Sequence, residues 1–261
     1  MNNFISGLAA GLLFINFFGA LLGCATRALT EKEESAILHL QIATEYIKSE
    51  KYPAALKELL IAEDLSPRNP SIQANLGLVY FMRERYELAE KHYSKSISIK
   101  PDFTDAKNDL GRVYVEIGQF KKAEALLKEV LNDLTYVDFS KANANYGVLE
   151  FKRKNYRNAI LYLNKALEQD RENCYIRAYL GRSNLELKNT TNAISQLKKA
   201  IPFCEQINSD EAHFYLGIAL YRDNQKELSI FRFEELLRIF PSGFHFEKTQ
   251  KMLELVKQGT L

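Results

Sequence analysis

Two stretches decide the fold: Asn75-Leu76-Gly77-Leu78-Val79-Tyr80 and Asp109-Leu110-Gly111-Arg112-Val113-Tyr114. Both carry a Leu-Gly pair with a Tyr three residues after the glycine. Working outward, Gly77, Gly111, Gly147, Gly181 and Gly217 follow one another at steps of 34, 36, 34 and 36 residues. Five of the 12 glycines therefore stand on one lattice. A period of this length marks a stack of similar units, each too small to bury its own apolar face.

Other residues keep the same beat. An aromatic ring falls nine residues after the glycine at Tyr86, Phe120 and Tyr156. A small residue falls twelve after it at Ala89, Ala123, Ala159, Ala193 and Ser229. Pro101 and Pro241 fall twenty-four after it. Extending the frame backwards puts Ala43 in the glycine slot of a first unit, with Tyr46, Tyr52, Ala55 and Pro67 in the matching places. Six units result: 36–69, 70–103, 104–137, 140–173, 174–207 and 210–243. The steps of 36 place two-residue insertions at Asp138-Phe139 and Asn208-Ser209, which predict slightly longer connections there.

Each unit reads as two helices. Apolar residues recur at three- and four-residue spacing, as in Leu126, Leu127, Val130 and Leu131. Gly118-Gln119 and Lys154-Asn155 read as turns between the two helices. A small residue at a helix crossing lets the neighbouring helix approach closely. Pro67, Pro101 and Pro241 end second helices, because proline lacks the N–H and clashes with the preceding turn. No stretch alternates with the period of a strand, so the class is all-α.

In these residues the chain resembles the tetratricopeptide repeat (TPR) family. The resemblance implies a right-handed superhelical solenoid of six helix-turn-helix repeats plus a C-terminal capping helix. The fourth to sixth units depart from the pattern: Glu150, Asn184 and Leu220 replace the first Tyr, and Thr190 and Lys226 replace the second aromatic. Local packing is expected to differ there. Residues 244–261 form the capping helix and tail, with Met252, Leu253, Leu255 and Val256 expected to cover the last unit.

The N-terminal end carries a different signal. Residues 1–23 hold no charged side chain, and Leu8–Leu22 is apolar apart from Asn16. The run is short for a transmembrane helix and fits the apolar region of a signal peptide. Leu21-Leu22-Gly23-Cys24 resembles a bacterial lipobox, which implies cleavage before Cys24 and acylation of that residue. The alternative is an uncleaved anchor or a buried apolar segment. No Asp follows Cys24 as a retention signal, so the resemblance favours the outer membrane, with the protein lipid-anchored on its periplasmic face. Residues 24–35 are then the lipidated Cys and a short tether. Thr30-Glu31-Lys32-Glu33 fits a capping box, so helix is expected close to the anchor.

A net charge of +2, with Lys and Arg scattered over helix faces, indicates no nucleic-acid partner. Cys174 and Cys204 occupy positions 1 and 31 of the fifth unit, where antiparallel helices bring those ends together. An exported protein meets an oxidising compartment, so the pair is expected as a disulfide, the alternative being two free buried thiols. His39, His92, His213 and His245 are dispersed, and no zincin, Walker or nucleophile-elbow motif occurs. The reading is therefore a non-enzyme with no catalytic residue, metal, cofactor or small-molecule substrate.

What remains is recognition. In the TPR family, positions 2, 5, 9, 12 and 13 of each unit face the concave surface. Carried over, these include Ile37, Leu40, Thr44 and Ile47 in the first unit, Leu78, Phe81 and Met82 in the second, and Val115 in the third. The partner-binding groove is expected to begin apolar, turn polar at Asp105, Asn108 and Arg112, and become aromatic again at Phe214, Ile218 and Tyr221. Phe81 and Met82 are its leading candidates. Lipobox, short tether, six units, late disulfide and short cap together resemble the pilotin lipoproteins of type IV pilus biogenesis. That resemblance implies an escort that binds the secretin subunit and promotes its localisation and multimer assembly. The alternative is a general periplasmic scaffold for cell-wall hydrolases or envelope assembly factors.

Overall fold

The computed structural model describes residues 30–259. The expectations on the leader, on Cys24 and on Ala25–Leu29 lie outside the described residues. Within them the chain is all helix, with thirteen α-helices and no strand. Six antiparallel hairpins follow one another. They are α1 (Glu31–Lys48) with α2 (Tyr52–Leu65), α3 (Pro70–Met82) with α4 (Tyr86–Ile99), and α5 (Thr104–Glu116) with α6 (Phe120–Asn132). Then come α7 (Phe139–Lys152) with α8 (Tyr156–Gln169), α9 (Cys174–Glu186) with α10 (Thr190–Gln206), and α11 (Glu211–Arg222) with α12 (Lys226–Ile239). A final helix, α13 (Phe246–Gln258), packs on α12.

Local chemistry sets the helix ends. Thr30 caps α1 by accepting from the Glu33 backbone N–H, while the Glu33 carboxylate accepts from the Thr30 N–H at 2.9 Å. This capping box starts α1 at Glu31, so the final five residues allotted to a tether (31–35) are helical. Helices α2, α4 and α12 each stop two residues before Pro67, Pro101 and Pro241. The residue before a proline is pushed out of the helical region, which accounts for the offset. Helix α10 instead carries Pro202 inside it and continues to Gln206.

The lattice glycines explain the hairpins. A Cβ added at Gly77, Gly111, Gly147, Gly181 or Gly217 would meet Tyr93, Leu127, Leu163, Leu197 or Phe233 respectively, well inside van der Waals contact. Each of those residues lies sixteen after its glycine and is buried in the second helix. The bare backbone is thus a socket for one large side chain. Ala43 and Leu59 hold the matching places in the first unit and are both fully buried.

Seven residues after each lattice position the chain turns through a left-handed conformation, at Glu50, Glu84, Gly118, Lys154, Lys188 and Asn224. The next N–H reaches back to a carbonyl five residues earlier, as Arg85 to Tyr80 and Gln119 to Tyr114, both at 2.8 Å. This is the Schellman closure of a helix end. Only the third unit uses the glycine that this conformation favours.

The odd-numbered helices α1 to α11 pack successively on one another as well as on their partners, whereas successive even-numbered helices do not do so comparably. The odd helices are therefore the inner layer. Antiparallel pairing puts the six tight turns on one edge of the array. The connections between units, and the start of α1, lie on the other edge. Cys174 at the start of α9 and Cys204 near the end of α10 form a disulfide, with Cα atoms 4.9 Å apart. In the fourth unit, Glu150 is buried where the first Tyr stands in earlier units. Its carboxylate accepts from Asn155 at 2.6 Å, Asn158 at 3.1 Å and Arg153 at 3.2 Å. Those donors satisfy a buried charge that would otherwise be costly.

Candidate functional site

The inner layer presents the candidate surface. In its first two units Ile37, Leu40, Thr44, Ile47 and Leu78 are half-buried, and Met82 is 41% exposed. Phe81 and Val115 are placed differently from the sequence expectation. Phe81 is 9% and Val115 2% exposed, and both belong to the main apolar core. The Arg112 guanidinium lies 4.2 Å from the Phe81 ring centre, and the Tyr86 ring flanks it at 5.6 Å. Packing of α3 on α5 therefore covers side chains that a position rule, unit by unit, leaves open. In the capped sixth unit Phe214 is also buried, stacked on the His245 ring at 4.5 Å. Val256 of α13 fills the adjoining core with Met252 and Leu253, while Leu255, expected to join them, is 37% exposed.

From the third unit the inner layer turns polar, through a chain of hydrogen bonds that runs inward from exposed Asp105 to buried Tyr136, Asn108 and Asn145. Tyr136 donates to Asp105 at 3.0 Å, Asn108 donates to Tyr136 at 3.3 Å, and Asn145 donates to Asn108 at 3.0 Å. Burial, with Asp105 beside it, holds the Tyr136 phenol far above its ordinary value. A cavity of about 410 Å³ opens beside this chain, lined by Arg112, Lys141, Ala144, Asn145 and Tyr175 among others. Lys141 pairs with Asp109 at 2.8 Å.

One cluster lies outside the groove residues named above, although the same position rule reaches three of its members, Phe151 at position 12 of the fourth unit, Arg182 at position 9 of the fifth and Glu211 at position 2 of the sixth. Arg182 of α9 lies within 4.4–4.7 Å of the ring centres of Tyr215, Tyr179 and Phe151. Its guanidinium also donates to Glu211 at 2.6 Å. Burial works against its charge, but Tyr215, Glu211 and Tyr179 outweigh that effect. The four aromatic and acidic partners come from α7, α9 and α11, so the cluster staples three successive inner helices together. No short motif announces it, because its members are up to 64 residues apart (Phe151 to Tyr215).

A second hollow, of about 450 Å³, is lined by Ile97, Leu110, Tyr114, Ala125 and Leu126 from α4, α5 and α6. Among the described residues no group of three or more His, Cys, Asp or Glu side chains is placed to hold a metal ion. No described helix is long and apolar enough to cross a membrane.

A curved stack of helical hairpins, with a mixed apolar and polar inner face, defines the class of helical-repeat binding scaffolds. Models of the tetratricopeptide repeat match residues 80–135 and residues 40–102 and 108–173, and the chain belongs to that family. Its members are typically non-catalytic scaffolds. Among curated relatives, the mouse DnaJ homolog subfamily C member 3 is 23% identical over 255 residues, covering 90% of this chain and 49% of its own length. The chain thus spans about half the length of the first curated relatives it matches.

Solved structures share the fold. PilW, described as a widely conserved type IV pilus biogenesis factor, superposes with a TM-score of 0.71 at 18% identity. That match covers 82% of this chain and 98% of PilW. PilF of Pseudomonas aeruginosa gives 0.67 at 16% identity, over 85% of this chain and 100% of the other. Cut9, from the APC/C hetero-tetramer Cut9–Hcn1, gives 0.77 at 17% identity, over 85% of this chain and 43% of its own.

Proposed function

We propose that this protein is a pilotin of type IV pilus biogenesis. It is a non-catalytic lipoprotein of the outer membrane that binds a secretin subunit and promotes its localisation and multimer assembly. One observation carries the reading. The array matches PilW and PilF over nearly their whole lengths, and a lipobox-like Leu21-Leu22-Gly23-Cys24 stands just before it. The half-buried apolar surface of the first two units, with Met82 exposed beside it, suits an apolar partner segment. Escort of this kind makes and breaks no covalent bond.

Deletion tests the reading. Loss of the protein abolishes heat-resistant secretin multimers and twitching motility while secretin monomer persists. Met82→Glu weakens secretin capture without changing helicity. Unchanged multimers in the deletion strain would overturn the proposal. A general periplasmic scaffold is the second reading, favoured by the comparable likeness to Cut9. In that case deletion alters cell shape or envelope integrity and leaves secretin multimers intact.

A further inference from the structure

Large apolar side chains on a protein surface are ordinary when scattered singly. Here they are not scattered. Among the described residues the four most exposed are Leu134 at 91%, Val137 at 86%, Phe244 at 83% and Ile207 at 65%, ahead of Phe231 and Leu38 on helix faces at 59% and 55%. All four lie in connections between units or between the last unit and α13, hence on one edge of the array. Of the two insertions expected to lengthen connections, the first does so, leaving six residues (133–138) between α6 and α7, whereas the second is absorbed in the 17-residue α10 and leaves the usual four (207–210) before α11. The opposite edge is built from the polar turns at Glu50, Glu84, Lys154, Lys188 and Asn224, where the large apolar side chains are less exposed, Leu228 in the first turn of α12 reaching 51%, Met82 41% and Leu187 40%.

The protruding loops are held firmly. Asp133 accepts from the Thr104 hydroxyl at 2.5 Å and from the Thr135 N–H at 2.9 Å, while Tyr136 is turned inward to Asp105. Leu134 and Val137 are thereby left pointing outward on a braced loop. At the far joint, buried Asp210 accepts from the His245 ring at 2.7 Å and from its backbone N–H at 2.6 Å. His245 stacks inward on Phe214, which leaves its neighbour Phe244 outside. The Lys248 ammonium sits 5.1 Å from the Phe244 ring centre, a cation beside an apolar ring.

The chain also enters on this edge, because α1 begins there at Thr30. Cys24 is six residues earlier. Six extended residues span at most about 20 Å. An acyl chain on Cys24 therefore keeps the entry edge close to the bilayer. We infer that this edge is a membrane-contacting surface, with Leu134, Val137, Ile207 and Phe244 dipping into the interfacial region of the lipid. Apolar side chains set on a polar frame bind lipid in this shallow way, with nearby lysines facing the phosphates. The tight-turn edge then faces away from the bilayer, and the inner groove opens sideways to partners. The inference rests on the lipid-anchored reading above.

The chain contains no Trp, so a single introduced Trp is its only indole reporter. Full-length lipidated protein carrying Phe244→Trp or Leu134→Trp is reconstituted into phosphatidylethanolamine–phosphatidylglycerol vesicles with brominated acyl chains. Leu187→Trp, on the opposite edge, is the control. Flotation reports anchoring, and quenching reports contact of the edge with lipid. The expected result is flotation of all three, with blue-shifted and strongly quenched emission at positions 134 and 244 only. Flotation without quenching at those positions, or equal quenching at all three, overturns the edge assignment and leaves the anchor standing. A blue shift without quenching that grows with protein concentration overturns it in favour of a protein contact. Failure to float overturns both readings.

Discussion

Replacing Gly217 by Ala tests why the lattice exists. At an exposed helix interior this change stabilises, because Ala is better than Gly by about 1 kcal/mol. Here the added methyl would lie 2.6 Å and 2.7 Å from two ring carbons of Phe233, with a third closer still. Carbon atoms pack best at about 3.5–4.0 Å, so α11 and α12 must separate by roughly 1 Å or the ring must leave its rotamer. Phe233 is fully buried among Phe214, Leu236, Phe240 and Val256, so neither adjustment is free. Overpacking of this kind costs about 1–3 kcal/mol; with three ring carbons inside 3 Å the upper end applies, so after the propensity gain of about 1 kcal/mol a net loss of about 2 kcal/mol remains. Urea denaturation followed by circular dichroism reads the total. Hydrogen exchange of α11–α13 locates it, since a repeat array loses stability locally first. The companion substitution Phe233→Leu recreates the Ala43–Leu59 pair of the first unit. In the Gly217→Ala background it is expected to recover about 1 kcal/mol relative to additivity. A neutral or stabilising Gly217→Ala, or strict additivity in the pair, would refute the socket argument.

Other consequences are equally concrete. Cys174→Ser with Cys204→Ser removes a cross-link closing about 30 residues and lowers stability by about 3–4 kcal/mol in the chain-entropy account, with exchange rising first in α9–α11. Arg182→Lys keeps the charge but loses the planar stack on Phe151, Tyr179 and Tyr215, and is expected to cost about 1–3 kcal/mol without changing helicity. Burial depresses the pKa of His213, which faces Glu205, Glu235 and Arg232; burial also depresses that of His92, which contacts Gln73 and lies near Glu63. A depressed histidine contributes stability above its unfolded value of about 6.5, and that contribution is lost as pH falls below it. The urea midpoint therefore drops between about pH 7.5 and pH 5.5, and His213→Gln flattens part of the slope, which the same midpoint series checks.

The sequence carried the period, the class and the unit frame because glycines at helix crossings are a steric necessity and so recur. The rule behind them was only half visible. Leu59, Leu127, Leu163 and Leu197 stand sixteen residues after the lattice position in four units, with Tyr93 and Phe233 in the other two, but Leu is so frequent along these helices that its recurrence at this one position does not stand out. The turn conformation was hidden for a similar reason. Gly118 signals it in one unit, while Glu50, Glu84, Lys154 and Lys188 adopt it under the pull of the helix-end hydrogen bonds. Groove positions were the least legible. Whether Phe81 is open or covered depends on Arg112 in the next unit, and a rule applied within one unit does not see across the interface. The Arg182 cluster was half legible: the position rule reaches Phe151, Arg182 and Glu211, but Tyr179 and Tyr215 stand at position 6, outside it, and only the stacking of three units brings the five together.

The cross-link between Cys174 and Cys204 has a mechanical side. A protein held at one end and loaded by a partner bears tension along its chain. Hairpins of a solenoid yield one at a time, each paying out its length. With the bridge intact, residues 175–203 cannot be drawn out, which shortens the fully extended chain by about 100 Å at roughly 3.5 Å per residue. The fifth hairpin becomes a hard stop in the unravelling of the array, and reduction of one bond restores the missing extension. In a single-molecule pulling trace, that stop is read directly as a step that appears only with reductant present.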